Sequence, residues 1–202
     1  MRVPGRHSSH RLAQRVCAVT AVAALLGGVS ACSKDKTKLD PKRAAAELSS
    51  GLKAQAAGSP SDAASHYNEA LKYDPKNKYA LYDLALLDAG DSNYGEAENK
   101  YRAVLAIDPA YEPALFNLAI LEKAKGDNAQ ALSLYERAIA AAPRDAAAHL
   151  NLGLLLREMG QKALGDAEVK KAIQLNPKLR DPAKTPAPTK SPAATSSPSP
   201  SG

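Results

Sequence analysis

The chain has 202 residues, with 27 lysines and arginines against 21 acidic residues, 45% apolar residues and no tryptophan. Its net charge of +6 does not mark a nucleic-acid binder, because residues 44–177 hold 14 basic and 18 acidic side chains and the basic excess sits at the two ends. Phosphate recognition needs a concentrated basic face.

The N-terminus carries Arg2, Arg6, Arg11 and Arg15 with no acid, then an apolar run from Val16 to Gly28, then Val29-Ser30-Ala31-Cys32. Basic, apolar and small residues in that order are the layout of a signal peptide over 1–31. The run is shorter than the ~20 residues a helix needs to cross a bilayer core. An aliphatic residue, two small ones and a cysteine resemble the bacterial lipoprotein lipobox. That resemblance implies that Cys32 receives diacylglycerol and becomes the first residue, and two acyl chains suffice for stable anchoring. Ordinary cleavage after Ala31, with secretion, and an uncleaved N-terminal anchor are the alternatives. Loss of 1–31 removes Cys17 and four arginines, leaving 23 basic and 21 acidic residues and no internal disulfide.

Residues 32–43 read as a tether, at most ~29 Å long from Cys32 to Asp40 at ~3.3–3.6 Å per residue. Its Lys34, Lys36, Lys38, Lys42 and Arg43 suit anionic lipid headgroups or a solvated linker.

The next segment is periodic. Pro75, Pro109, Pro143 and Pro177 stand 34 residues apart, and in the same register run Ala63, Ala97, Ala131 and Gly165, then Tyr67, Tyr101, Tyr135 and Val169, then Leu71, Leu105, Ile139 and Ile173. This period and pattern resemble the tetratricopeptide repeat (TPR) family, which builds two antiparallel helices per repeat. The resemblance implies an all-α solenoid, a right-handed superhelix of four helix-turn-helix units over 44–77, 78–111, 112–145 and 146–179. Gly58, Gly126 and Gly160 end the first helices in a left-handed turn, while the second repeat has Gly90 two positions early. Ser59-Pro60, Asp127 and Asp145 supply helix starts, as do Pro41 and Pro113. The small column lets paired helices approach, and the tyrosines fill the volume between repeats. Stability then accrues through neighbour interfaces.

In TPR relatives the first helices line a concave groove for an extended peptide or a partner helix. Carried onto this chain, the groove comprises Tyr79, Tyr82, Asp83 and Leu86, then Phe116, Asn117 and Ile120, then Leu150, Asn151 and Leu154. The apolar columns are either a contact surface or partly buried packing. The column Asp83, Asn117, Asn151 is unusual mid-helix, and in some relatives such asparagines bond a ligand's backbone. Leu48, Leu52, Tyr82 and Leu86 stand where carboxylate-clamping relatives carry cations, so no clamp is expected.

No catalytic constellation is evident. Beyond the signal only His66 and His149 remain, and there is no phosphate loop, metal-ligand cluster or cofactor motif. His149 shares a column with Leu81 and Leu115 and reads as packing, and Glu96 and Glu98 read as a solvated face. The tail over 180–202 is rich in proline, serine and threonine and is expected to be disordered. No capping helix follows the fourth repeat, so its outer face either caps itself or meets a partner or second copy. The expectation is a lipid-anchored, extracytoplasmic, non-catalytic scaffold that binds a protein or peptide, with no nucleic acid or cofactor. The alternative is a regulatory or substrate-presenting subunit of an envelope enzyme complex.

Overall fold

The computed structural model describes residues 38–184. The signal segment, Cys32 and the chain from 185 onward lie outside the described residues. Within them eight α-helices follow one another: α1 Pro41–Ala56, α2 Pro60–Tyr73, α3 Lys78–Gly90, α4 Tyr94–Ile107, α5 Glu112–Ala124, α6 Asn128–Ala141, α7 Ala146–Glu158 and α8 Lys162–Leu175. None of the described helices is long and apolar enough to cross a membrane.

Local chemistry accounts for the boundaries. Asp40, Asn77, Asp127 and Asp145 cap α1, α3, α6 and α7 through side-chain oxygens that accept from backbone N–H groups of the first turn, a contribution of about 1 kcal/mol each. Ser59 departs from expectation. Its side chain makes no cap bond, and α2 starts on the fixed φ of Pro60 alone. α1 begins at Pro41, three residues ahead of the repeat start at Ala44 and inside the segment expected as tether. Between the paired helices Gly58, Gly126 and Gly160 adopt φ of 77°, 86° and 81°, and Ser92 takes the same turn at 63°. The early Gly90 thus leaves a β-carbon in a conformation that disfavours one.

The helices pair as α1 with α2, α3 with α4, α5 with α6 and α7 with α8, and each pair packs on the next through α2–α3, α4–α5 and α6–α7. Helices of 13 to 16 residues are marginal alone, so this burial holds them. Tyr67, Tyr101 and Tyr135 are buried with Ala63, Ala97 and Ala131. The main core runs from Ala85 to Leu156, and a smaller one gathers Tyr67, Ala80 and Leu84 around the first two repeats.

Two features differ from the sequence reading. Glu98 is not on a solvated face: with Glu122, which is fully buried, it forms a network in which Arg102 bonds Glu122 at 2.7 Å and Lys125 bonds Glu122 at 2.8 Å and Glu98 at 2.9 Å. Burying Glu122 is tolerable because two cations meet it across the α4–α5 junction. The expected disordered tail also starts too early. Asp181 is buried and accepts two bonds from Arg157 of α7, at 2.7 and 2.9 Å, and Pro182–Lys184 form a 3-10 turn behind it. This short turn folds against the last repeat where a further helix would begin. The remainder of the expected tail lies outside the described residues.

Candidate functional site

The ten expected groove residues lie on α3, α5 and α7, the first helices of repeats two to four, and none is fully buried. Their i, i+3, i+4, i+7 spacing sets them on one stripe of each helix. Tyr79 is half exposed at 50% and Ile120 at 40%. Tyr82, Leu86 and Phe116 are half-buried against the main core, and Phe116 meets the buried Tyr135 edge-on at 5.9 Å. These apolar columns therefore hold the repeats together while leaving part of each side chain accessible.

Tyr111, the residue before α5, was absent from the expected set, yet it organises one end of the stripe. Its ring meets Tyr82 at 5.4 Å and Tyr79 at 6.2 Å, both edge-on, and Tyr82 also contacts Tyr101 at 5.9 Å. The only sequence signal was its position as the last residue of the second repeat, directly ahead of α5. Lys78 sits over the rings of Tyr79 and Tyr111, 5.2 and 5.0 Å from their centroids, and is held there by Asp108 at 2.6 Å.

The asparagines turn inward on their own helices. Asn117 donates from Nδ2 to the Pro113 carbonyl at 2.8 Å and to the Tyr82 hydroxyl at 3.1 Å, tying α5 to α3. Asn151 donates to the Ala147 carbonyl at 2.9 Å. Asn117 gives its amide N–H groups to a carbonyl and a hydroxyl, Asn151 gives one to a carbonyl, and each side chain keeps Oδ1 as an acceptor.

Asp83 stands at the same register on α3. Burial pushes its carboxyl up to about 6. Burial first, and the negative charge of Asp83 after that, hold the hydroxyls of Tyr67, Tyr82 and Tyr111 protonated to higher pH. Glu112, at the start of α5, is raised to about 7 by burial and by its hydrogen bond to Asp145, a neighbour of like charge. The stripe is thus aromatic and acceptor-rich, suited to holding a chain segment by contact and hydrogen bonding.

The histidines do not join this surface. His149 is buried, with Nδ1 2.6 Å from Glu168 Oε2 and Nε2 3.1 Å from the Pro143 carbonyl, the packing role expected of its column. His66 pairs with Glu47 at 2.8 Å. A cavity of about 1010 Å³ lies elsewhere, between α8 and the closing turn, lined by Arg157, Val169, Ile173 and Asp181 among others. Cys32, the expected lipid attachment, lies outside the described residues.

A family model described as tetratricopeptide repeat matches residues 41–112 and 116–178. No curated protein matches the sequence significantly. Among solved structures, MamA of Desulfovibrio magneticus RS-1 is 25% identical over 67% of this chain and 76% of its own, with a TM-score of 0.60. PilF of Pseudomonas aeruginosa is 23% identical over 68% and 63%, at 0.61. The first TPR of Spaghetti (RPAP3), solved bound to the HSP90 peptide SRMEEVD, is 20% identical over 60% and 97%, at 0.57.

Proposed function

Because the chain belongs to the tetratricopeptide repeat family, we propose that it is a non-catalytic interaction scaffold that binds a protein partner's segment along α3, α5 and α7. The observation that carries this reading is the stripe itself: accessible aromatic and aliphatic side chains from Tyr79 to Leu154, interleaved with the acceptors of Asn117 and Asn151. Side chains of the partner contact Tyr82, Phe116 and Leu150, and its backbone N–H groups bond Asn117 and Asn151. The RPAP3 complex, with its bound peptide, is a precedent for the mode of binding. In this reading the chemistry of any complex that the chain joins belongs to another subunit.

The scaffold is held outside the cytoplasm by a lipidated Cys32, in this reading, and assists or retains an envelope complex. Support comes from the order of Arg-rich, apolar and small residues before that cysteine. Intact-mass spectrometry checks the anchor: a mature chain starting at a diacylated Cys32 is expected, and an unmodified N-terminal Cys32 or a retained Met1 would refute it. For the groove, Phe116→Ala and Asn117→Ala are expected to weaken capture of membrane partners by crosslinking. The loss at Phe116 is about thirtyfold, the effect of truncating a central aromatic contact worth about 2 kcal/mol. Full capture by both folded variants would remove the site from this face.

A further inference from the structure

The charges on α3, α5 and α7 do not balance, and the imbalance has one sign. Every cation on these helices is committed: Lys78 to Asp108, Lys123 to Glu158 at 2.9 Å, and Arg157 to Asp166 and Asp181. Of their acids, Asp88 meets Lys100, Glu122 meets Arg102 and Lys125, and Glu158 meets Lys123. Asp83 and Glu112 are left without a counter-cation among the described residues, and Asp145, beside Glu112, adds to the same sign.

A half-buried carboxylate with no cation is costly, and nothing in the fold requires one at this register. The equivalent positions in the next two repeats carry the neutral Asn117 and Asn151. The groups coupled to Asp83 are the hydroxyls of Tyr67 from α2, Tyr82 from α3 and Tyr111 ahead of α5, and Lys78, the cation over Tyr111, is held by Asp108.

A second observation is independent of Asp83 and Glu112. The tyrosine faces at this end already accept one ammonium group, that of Lys78 over Tyr79 and Tyr111. The Oδ1 atoms of Asn117 and Asn151 add further acceptors along the stripe.

Building on the groove reading above, we infer that the partner segment is basic, and that a lysine or arginine side chain of a different protein pairs with Asp83 beside Tyr82 and Tyr111. The cation restores the charge balance that folding leaves open, and apolar residues on either side of it lie along Leu86, Phe116 and Leu150. An acidic segment such as that in the RPAP3 complex meets repulsion here. Glu112 and Asp145, which share a hydrogen bond, extend the negative surface toward the third and fourth repeats once Glu112 is ionised, and then favour further cations on the same segment.

The test uses the full chain and short labelled peptides of alternating alanine and leucine with one central lysine, glutamine or glutamate, followed by fluorescence anisotropy. The lysine peptide is expected to bind about tenfold more tightly than the glutamine peptide, as suits one charge-assisted bond, and the glutamate peptide least. Asp83→Asn is expected to make lysine and glutamine equal. Lowering the pH from about 7.5 to about 5 should remove the preference in the unsubstituted chain as Asp83 takes up a proton.

Stability moves the other way. The folded-state pKa of Asp83, about 6, lies above its unfolded value of 3.8, so the ionised group penalises the fold in full above about pH 6, and the penalty fades as pH falls from there toward the unfolded value. Asp83→Asn should therefore melt higher than the parent at neutral pH and converge with it in acid. The comparison isolates Asp83 from Glu112, which titrates with the same sign in both proteins.

A lysine preference that survives in Asp83→Asn, or a preference for glutamate, would overturn the inference. If Phe116→Ala weakens every peptide while Asp83→Asn changes none, the groove stands and the charge assignment falls. If Phe116→Ala changes none, the groove reading fails first. Self-association of the chain that disappears in Asp83→Asn would place the cation on a second copy and overturn the assignment to a different protein.

Discussion

Tyr67 and Tyr135 occupy the same repeat position and are both fully buried, but their hydroxyls meet different fates. Tyr67 donates to Gln55 Oε1 at 2.7 Å, whereas the Tyr135 hydroxyl is buried with no hydrogen-bond partner among the described residues. The register explains the difference: where the first repeat has Gln55, the third has Lys123, which turns outward to Glu158. Burial raises both hydroxyl pKa values to about 12, so neither ionises in the physiological range. Tyr67→Phe should cost about 0.5–1.5 kcal/mol, because it removes a hydrogen bond, while Tyr135→Phe should be neutral or stabilising, because it removes an unsatisfied group. Thermal melting of the two variants side by side checks this, and equal losses would count against it. The tyrosine column was plain in the sequence. Which hydroxyl finds a partner was not, because that depends on a residue twelve positions away on another helix.

Pairs of helices differ in how closely they approach, and the small residues set the distance. In the last pair Gly153 of α7 faces Gly165 of α8: a β-carbon on Gly153 would lie 2.8 Å from the Gly165 carbonyl oxygen, and one on Gly165 only 2.5 Å from that of Gly153. The middle pairs have alanines at both positions, Ala85 with Ala97 and Ala119 with Ala131, all fully buried. Gly153→Ala should thus destabilise the chain by about 1–3 kcal/mol through overpacking, against the usual gain of an alanine over a glycine in a helix. A denaturant melt with an unchanged or raised midpoint would show that the backbones can move apart cheaply. The second small column, Gly51, Ala85, Ala119 and Gly153, was as periodic as the one at Ala63 but less visible, because two of its members are the turn-forming residue. A further regularity emerges only from the packing. Glu47 and His66 in the first pair and His149 and Glu168 in the last make the same cross-helix contact with the partners exchanged.

Among the described residues no further α-helix follows α8 to cover it. Here the closing turn supplies part of the missing cover, because Asp181 is 7% exposed and clasps Arg157, which also holds Asp166 of α8 at 2.7 Å. The arginine thereby links α7, α8 and the departing chain, while Leu164 stays 59% exposed on the outer side. Asp181→Ala should cost about 1–3 kcal/mol, since it leaves a mostly buried guanidinium with one partner fewer. In a stack stabilised by neighbour interfaces the loss should be local. Hydrogen exchange is expected to speed up in α8 and hardly at all in α1. Uniform acceleration throughout would show that the array unfolds as one unit.

The sequence by itself determined the repeat, the helix pairs and the turn positions, because a 34-residue period imposes the same burial on the same columns in every unit, and local caps and glycines reinforce it. It also placed the ten stripe residues on the first helices, since helical spacing alone aligns them. Only the tertiary structure brought Tyr111 against Tyr79 and Tyr82, buried Glu122 among Arg102 and Lys125, and drew Asp181 back onto Arg157. These contacts rest on side chains that the repeats do not share or lie past the last one, where the period makes no demand. The same holds for the charge of the stripe. The sequence shows an acid at Asp83, but that it lacks a cation becomes visible only when every neighbouring lysine and arginine is seen to be held by another carboxylate.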